Sequence, residues 1–131
     1  PLPDVELYDR IDALAVAAMD DADLPVVRPH FLGERSDPAL RGSIGALNLE
    51  NYTPGKLAAA LALGIVGNLQ QALPEPFWRG RKRLLISGNA IRKTRALQAA
   101  CVKCFGVEPI PAEGNEEAAR GAAQLSGRLL Q

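Results

Sequence analysis

Residues 83–105 contain the stretch Arg83-Leu-Leu-Ile-Ser-Gly-Asn-Ala-Ile-Arg-Lys93, which decides the fold class of this chain. The apolar run 84–86 is too short for a helix and has the length of a buried parallel strand. Residues 87–89 (Ser-Gly-Asn) predict a turn, and from Ile91 the apolar positions recur at helical spacing as far as residue 105. Gly106 stands where a helix commonly ends on a glycine. The stretch therefore predicts a strand, a tight turn and a helix.

The turn between this strand and this helix has two interpretations. Backbone N–H groups at the carboxyl end of a strand form a common nucleotide site in α/β proteins. A plain structural turn fits the residues as well, because neither GxGxxG nor GxxxxGK[ST] is present. The residues of the turn leave both interpretations open.

The composition is that of a globular domain with a real core. The chain has 131 residues, of which 47% are hydrophobic and 23% charged. Its 15 basic residues balance its 15 acidic residues, so net charge predicts neither a nucleic-acid nor a membrane partner. The longest uncharged apolar run, residues 57–67, is far shorter than the ~20 residues that cross a bilayer. No signal peptide is visible, and a cytoplasmic location is expected.

The charges are nonetheless separated along the chain. Residues 1–23 carry seven acids against the single base Arg10, whereas residues 79–95 carry seven bases and no acid. This basic segment lies beside the predicted turn and would attract an anion, although a solvated basic face is the simpler interpretation. Trp78, just before it, predicts a buried anchor rather than a platform for nucleic-acid bases.

Cys101 and Cys104 are the only cysteines and form a C-x-x-C pair. They fall in the last turns of the predicted helix, where no N-terminal dipole lowers the pKa of a thiol. The single histidine, His30, lies far away in sequence, so a four-ligand zinc site is not supported. We expect both thiols to pack in the core of a protein from a reducing compartment.

Two amphipathic or apolar helices are predicted before the central strand. Residues 4–19 place Leu7, Ile11, Leu14 and Ala18 on one face. The second helix starts at Thr53-Pro54, continues to about Leu73 and is apolar nearly all round. It contains Gly64 and Gly67, which cost helix propensity and therefore predict close packing at both positions.

The remaining segments complete an α/β pattern. Residues 26–27 predict a short extended segment, and residues 42–45 predict an irregular approach to the second helix. Residues 107–110 predict a second strand, limited to a sheet edge by its prolines. Asn115 can cap a last helix, in which residues 118–123 offer small side chains for tight packing. The order helix, helix, strand, helix, strand, helix predicts α/β architecture, with parallel strands and packed helices.

Four stretches, read together, resemble the C-terminal part of the FGGY-family carbohydrate kinases. They are Phe31-Leu-Gly-Glu-Arg35 with Leu40-Arg-Gly-Ser-Ile44, Asn51-Tyr-Thr-Pro-Gly-Lys-Leu57, Ser87-Gly-Asn-Ala90, and Glu117-Ala-Ala-Arg-Gly-Ala-Ala123. Each motif is weak alone, but their order and spacing are specific, and the resemblance as a whole covers about residues 4–130. Gly-Asn-Ala-Ile-Arg and Asn-Tyr-Thr-Pro-Gly look most like the sedoheptulokinases of this family. Kinases of xylulose, ribulose, gluconate and glycerol remain the alternatives.

The resemblance implies part of the C-terminal lobe of an actin-like, ribonuclease-H-like ATPase. Such kinases use ATP and Mg²⁺ to phosphorylate a sugar in the cleft between two lobes. The family's catalytic aspartate and phosphate loops lie upstream, so residues 1–131 are expected to be a single unit that lacks the N-terminal lobe. We therefore assign no catalytic residue and no metal ligand, and we expect this fragment alone to be inactive. The expected partners are ATP, the sugar, the missing N-terminal portion and a possible second copy in a homodimer.

The same resemblance assigns the adenosine site to four residues. Gly88, Asn89 and Ala90 match the turn against which the adenine rests, and small residues suit such a close approach. Lys93 stands where the family often has an asparagine, and Asn89 replaces a usual glycine. Asn89 can therefore contact the nucleotide or simply cap the helix.

The sequence leaves three further interpretations open, one for a residue pair and two for the function. Glu34 and Arg35 could lie near the cleft or form a structural ion pair. A non-catalytic actin-like module for nucleotide binding or assembly is the alternative to a kinase. A small α/β regulatory domain for another ligand is a third possibility, and it predicts no stabilisation by ATP.

Overall fold

Helices and short strands alternate along the chain in the computed structural model, which describes residues 4–112 and 123–124. The elements are α1 (Asp4–Ala18), β1 (Val26–Arg28), β2 (Ser43–Gly45), α2 (Pro54–Ala72), β3 (Leu84–Ile86), α3 (Asn89–Lys93), α4 (Arg95–Phe105) and β4 (Pro109–Pro111). A single 3₁₀ turn, Glu75–Phe77, follows α2. The mixed α/β class predicted from the sequence is confirmed.

The core lies where α1, α2 and α4 pack together, and β3 adds one side chain to it. Its buried members are mostly small, which allows the helices to approach closely. They are Ala15, Met19, Ala59, Ala62, Val66, Ile86, Ala96, Ala100 and Cys101. This arrangement fixes the start of α4, and with it the turn after β3, against the two N-terminal helices.

The face that α1 buries differs from the predicted one. Ala15 and Met19 are buried, whereas Leu7 and Leu14 are exposed. The two helices are close at Gly55 of α2, where an added Cβ would lie 2.9 Å from the carbonyl oxygen of Leu14. The missing side chain of Gly55 allows this approach to the backbone of Leu14. Because the side chains of Leu7 and Leu14 nevertheless stay exposed, the predicted face was wrong for both leucines.

The start of α2 follows the sequence signal. The Oγ1 atom of Thr53 accepts a hydrogen bond from the backbone N–H of Lys56 at 3.4 Å, and Pro54 occupies the first helical position. The helix buries residues on more than one side, including Ala59, Ala60 and Val66. The predicted helix and its cap are confirmed.

The parallel sheet is formed by β3 and β4. Leu84, Leu85 and Ile86 pair with Pro109, Ile110 and Pro111 in that order. The backbone N–H of residue 112 donates to the carbonyl oxygen of residue 86 at 2.8 Å and continues the pairing. The second predicted strand exists but begins two residues later, because the chain turns after the left-handed residue 106.

A second, antiparallel pair was missed. Val27 of β1 pairs with Ile44 of β2, in the segment that the sequence predicts to be irregular. Each strand has three residues, and β2 follows Gly42 and ends on Gly45, so neither propensity nor alternation identifies it. The prediction of parallel strands holds for β3 and β4 and not for this pair.

The predicted central helix is two helices. Thr94 has φ −111° and ψ 105°, an extended conformation that separates α3 from α4. Gly106 ends α4 with a φ of 70°, as the sequence predicts. The predicted last helix, from Asn115 onward, falls outside the described residues except for Ala123 and Gln124, which are helical and exposed.

Candidate functional site

The turn after β3 is built on a glycine whose backbone other residues rarely adopt. Gly88 has φ 101° and ψ 147°, a combination that favours glycine. A Cβ added there would meet no atom within 4 Å. The backbone conformation therefore requires a glycine here, whereas packing does not. The space beside Gly88 is open.

The capping interpretation of Asn89 was wrong. Gly88 is the N-cap residue of α3, Asn89 is the first helical residue, and no side chain caps this helix. The amide of Asn89 is exposed on the surface of the turn. This amide has two N–H donors and one acceptor oxygen that a ligand at the turn can use.

A groove of about 710 Å³ lies between α1, α2 and the α3–α4 segment. This volume is within the roughly 300–1,000 Å³ of typical small-molecule sites, which are mostly apolar with a few polar groups. Its apolar lining is Val5, Tyr8, Ile11, Ala15, Ala58, Leu61, Ala62, Ile65, Ala90, Ala96 and Leu97, and its polar lining is Asp9, Asp12, Asn89, Lys93 and Thr94. The groove can hold a flat, largely apolar ring whose polar edge faces its rim.

Three of the four predicted site residues lie on this groove. Asn89, Ala90 and Lys93 form part of its wall, whereas Gly88 shapes the turn without lining the groove. Lys93 is exposed, and among residues 4–112 and 123–124 no hydrogen bond or ion pair holds its ammonium group. The predicted adenosine residues and the groove therefore coincide in space.

The opposite walls of the groove were not identified from the sequence. Tyr8 comes from α1 and Leu61 and Ile65 come from α2, far from the predicted turn along the chain. Tyr8 is exposed and presents an aromatic ring at the groove. The spacing of Val5, Tyr8 and Asp12 puts them on one helix face, but a stripe that mixes apolar and acidic residues gives no amphipathic signal.

The basic segment does not act as one patch. Arg79 pairs with Glu75, and Arg81 donates to the carbonyl oxygen of residue 77 at 3.3 Å. Arg92 donates to the carbonyl oxygen of residue 112 at 2.8 Å. Lys93 is the base of this segment that lines the groove.

Glu34 and Arg35 lie outside the groove lining. An oxygen of Glu34 lies 2.9 Å from Nδ1 of His30 and accepts a hydrogen bond from Asn68 at 3.4 Å. The structural interpretation of Glu34 is therefore favoured, with His30 rather than Arg35 as its side-chain contact. Trp78 is half-buried and packs edge-to-face on Phe105, with ring centroids 6.0 Å apart, as an anchor would.

The cysteine pair serves packing. Burial raises the pKa of both the Cys101 and Cys104 thiols above the ordinary value, and the neighbouring Cys104 adds to the shift at Cys101. Both thiols are therefore protonated near neutral pH, the state least suited to redox or metal chemistry.

Among residues 4–112 and 123–124, no three His, Cys, Asp or Glu side chains are placed to hold a metal ion. Within the same ranges, no helix combines the length and apolar character needed to cross a bilayer.

Comparison with solved structures shows where this fold occurs. The xylulose kinase from Bifidobacterium adolescentis matches 92% of this chain with a TM-score of 0.69 and 26% identity. The xylulose kinase from Rhodospirillum rubrum matches 86% of this chain with a TM-score of 0.64 and 24% identity. The xyloylose kinase from Brucella ovis matches 86% of this chain with a TM-score of 0.57 and 21% identity. This chain has the fold of the C-terminal portion of carbohydrate kinases.

The likeness to these carbohydrate kinases covers a limited part of each enzyme. The chain spans about a quarter of their length, since it covers 25%, 23% and 25% of the three kinases. The neighbours are FGGY-type kinases, which supports the resemblance seen in the sequence without selecting a sugar. No family model and no curated protein matches the sequence itself.

Proposed function

We propose that this chain is the C-terminal, adenosine-binding portion of an ATP-dependent sugar kinase. The observation that carries the proposal is the groove beside the turn after β3, which has Asn89, Ala90 and Lys93 on its wall. The groove occurs in a fold shared with xylulose kinases. Neither the turn alone nor the fold alone would support a nucleotide; their coincidence does.

The groove residues divide the work of holding an adenosine. The methyl group of Ala90, with Leu61 and Ile65 of α2, offers an apolar surface for a face of the purine. The amide of Asn89 can donate to and accept from polar atoms of the nucleoside, and Lys93 can donate to a ring nitrogen or a ribose oxygen. The groove thus fits a purine nucleoside without a buried ion pair.

Phosphoryl transfer itself is assigned to the rest of the protein. ATP supplies the γ-phosphoryl group, and Mg²⁺ neutralises charge on the phosphates during its transfer. The described residues offer no cluster of ligands for the metal, which would be held through the ATP phosphates and residues elsewhere. We expect residues 1–131, taken as one unit, to bind and orient the adenosine and to be inactive alone.

The sugar is proposed to be a ketose. The motifs Gly88-Asn-Ala-Ile-Arg92 and Asn51-Tyr-Thr-Pro-Gly55 favour sedoheptulose, whereas the structural neighbours are xylulose kinases. Formation of ADP by the full-length protein with Mg-ATP should be measured across a panel of ketoses and polyols led by these two sugars. Turnover with one ketose supports the kinase and names its substrate. A folded protein that binds ATP but turns over no sugar would favour the non-catalytic actin-like module, and no binding of ATP would reject both.

The adenosine assignment predicts an effect of side-chain size at Ala90. Ala90→Trp should raise the dissociation constant of ATP by about tenfold or more, because the indole would occupy the space proposed for the base. The affinity for the sugar should change little. Isothermal titration calorimetry of the full-length protein with each ligand measures both effects.

Ala17→Trp is the matched control for Ala90→Trp. Ala17 is also an exposed helical alanine, but it does not line the groove. Equal losses of ATP and sugar affinity in Ala90→Trp, or losses in both variants, would indicate misfolding and count against the assignment.

The exposed apolar face of the β3–β4 sheet indicates that another polypeptide segment packs against it. Leu85 is 70% exposed and its register partner Ile110 is 44% exposed, although parallel sheets are ordinarily covered on both faces. We propose that the N-terminal portion of the full-length protein covers this face. A homodimer and a cytoplasmic location stay predictions.

A substitution at Leu85 tests this covered face. Leu85→Lys should lower the free energy of unfolding of the full-length protein by about 2–3 kcal/mol, the scale of a buried leucine. Leu49→Lys, at a side chain that is 98% exposed, should change it by less than about 0.5 kcal/mol. Urea denaturation measures both changes. If neither variant changes the free energy of unfolding, Leu85 is exposed to solvent in the full-length protein.

A further inference from the structure

The start of α4 lacks a cap from its own neighbours. Thr94 separates α3 from α4, and its N–H closes α3 by donating to the carbonyl oxygen of Ala90 at 3.1 Å. Its side chain makes no capping hydrogen bond to α4. The first N–H groups of a helix have no partner within the helix, so those of α4 must be satisfied from elsewhere.

Asp12 of α1 supplies the missing cap. One carboxylate oxygen accepts the N–H of Arg95 at 3.0 Å, and the other accepts the N–H of Ala96 at 2.9 Å. The Arg95 side chain adds a contact at 3.4 Å to the same carboxylate. Because the Asp12 side chain is only 13% exposed and meets the positive end of a helix, these charge-assisted bonds are stronger than surface ones.

Helix α3 is held by contacts of its own, since Ile91 packs against the core and Arg92 donates to the carbonyl oxygen of residue 112. None of its residues is buried. The side-chain amide of Gln98, on α4, donates to the carbonyl oxygens of Ile91 and Arg92 at 2.9 and 3.2 Å. The first turns of α4, which Asp12 ties to α1, therefore contribute to the position of α3.

We infer that Asp12 is a positioning residue that holds the α3–α4 wall of the groove at a fixed distance from the α1 wall. Asp12 belongs to one wall and binds the backbone of the other, so its carboxylate sets the width available to a ligand beside Asn89 and Ala90. The effect of Asp12 on nucleotide binding rests on the proposed function. The role of Asp12 in fixing the geometry of the groove does not depend on that proposal.

The test compares Asp12→Ala and Asp12→Asn with the control Asp23→Ala in the full-length protein. Asp23 also accepts hydrogen bonds across elements, from Asn48 and Asn51, but lies outside the groove lining. Amide hydrogen exchange of residues 88–94 and the dissociation constant of Mg-ATP are measured at a temperature where every variant is folded.

Asp12→Ala should accelerate exchange in residues 88–94 and weaken ATP binding by about tenfold. Asp12→Asn keeps one acceptor oxygen and should lie between Asp12→Ala and the wild type in both readouts. Asp23→Ala should lower stability with neither effect. Unchanged exchange in Asp12→Ala, or equal acceleration in Asp23→Ala, would overturn the positioning role. If the wild type binds no ATP, the proposed function fails, and the exchange data alone decide the role of Asp12.

Discussion

Replacing Gly64 by alanine is expected to lower the free energy of unfolding by about 2–3 kcal/mol, the scale of overpacking in a core. A Cβ at this position would lie 2.4 Å from the carbonyl oxygen of Val27. That oxygen belongs to the backbone of β1, so it cannot turn aside as a side chain would. Either α2 or the β1–β2 pair must shift, which outweighs the gain of about 1 kcal/mol in helix propensity. Urea denaturation of the full-length protein measures the change.

Gly67 provides the matched control on the same helix. A Cβ there would meet nothing within 4 Å, so Gly67→Ala should raise the free energy of unfolding by up to about 1 kcal/mol. The two variants add the same methyl group three residues apart and should differ in sign. Two stabilising substitutions would mean that α2 does not contact β1 at Gly64.

Gly64 and Gly67 also mark a limit of sequence reasoning. Both interrupt an apolar helix, and the sequence predicts close packing at both. The structure confirms this at Gly64, against the backbone of residue 27, and contradicts it at Gly67. Propensity reports that a glycine is costly in a helix, but which element approaches it depends on pairing across the chain.

The features that the sequence predicts well are encoded locally. Thr53 and Pro54 start α2 because a cap and a fixed φ act within one turn, and Gly106 ends α4 for a similar reason. The start of α4 just after Thr94 is capped by a carboxylate more than eighty residues earlier, on Asp12. No window of sequence around Thr94 contains that partner.

The candidate site shows the same division between local and distant signals. Asn89, Ala90 and Lys93 were predicted because they match one segment of the family that the chain resembles, and they line the groove. The facing walls of α1 and α2 depend on how three helices pack. Helix α1 illustrates the difficulty, since Ala15 is buried whereas its larger neighbour Leu14 is exposed.

Asn51→Ala is expected to lower the free energy of unfolding by about 3 kcal/mol, because each buried polar group left without a partner costs about 1–3 kcal/mol. Asn51 is 0% exposed and its amide is fully bonded. Its oxygen accepts the N–H of Asn48 at 2.8 Å, and its nitrogen donates to the carbonyl oxygen of Ala46 at 2.8 Å and to Asp23 at 3.2 Å. Alanine would leave these groups unpaired around a cavity. Urea denaturation of the full-length protein gives the loss.

One further variant separates the hydrogen bonds of Asn51 from its volume. Asn51→Asp keeps the shape but turns the donor toward Asp23 into a carboxylate. Burial and that neighbouring charge raise the pKa of the introduced carboxyl in the folded state. The loss in free energy of unfolding of Asn51→Asp relative to the wild type should therefore be smallest below about pH 4 and grow as the pH rises toward 7.

Asn68→Ala is the control, since its amide makes one long hydrogen bond of 3.4 Å to Glu34, and it should cost less than about 1 kcal/mol. A pH-independent deficit in Asn51→Asp, or losses as large at Asn68 as at Asn51, would show that this amide network does not hold the loop before α2.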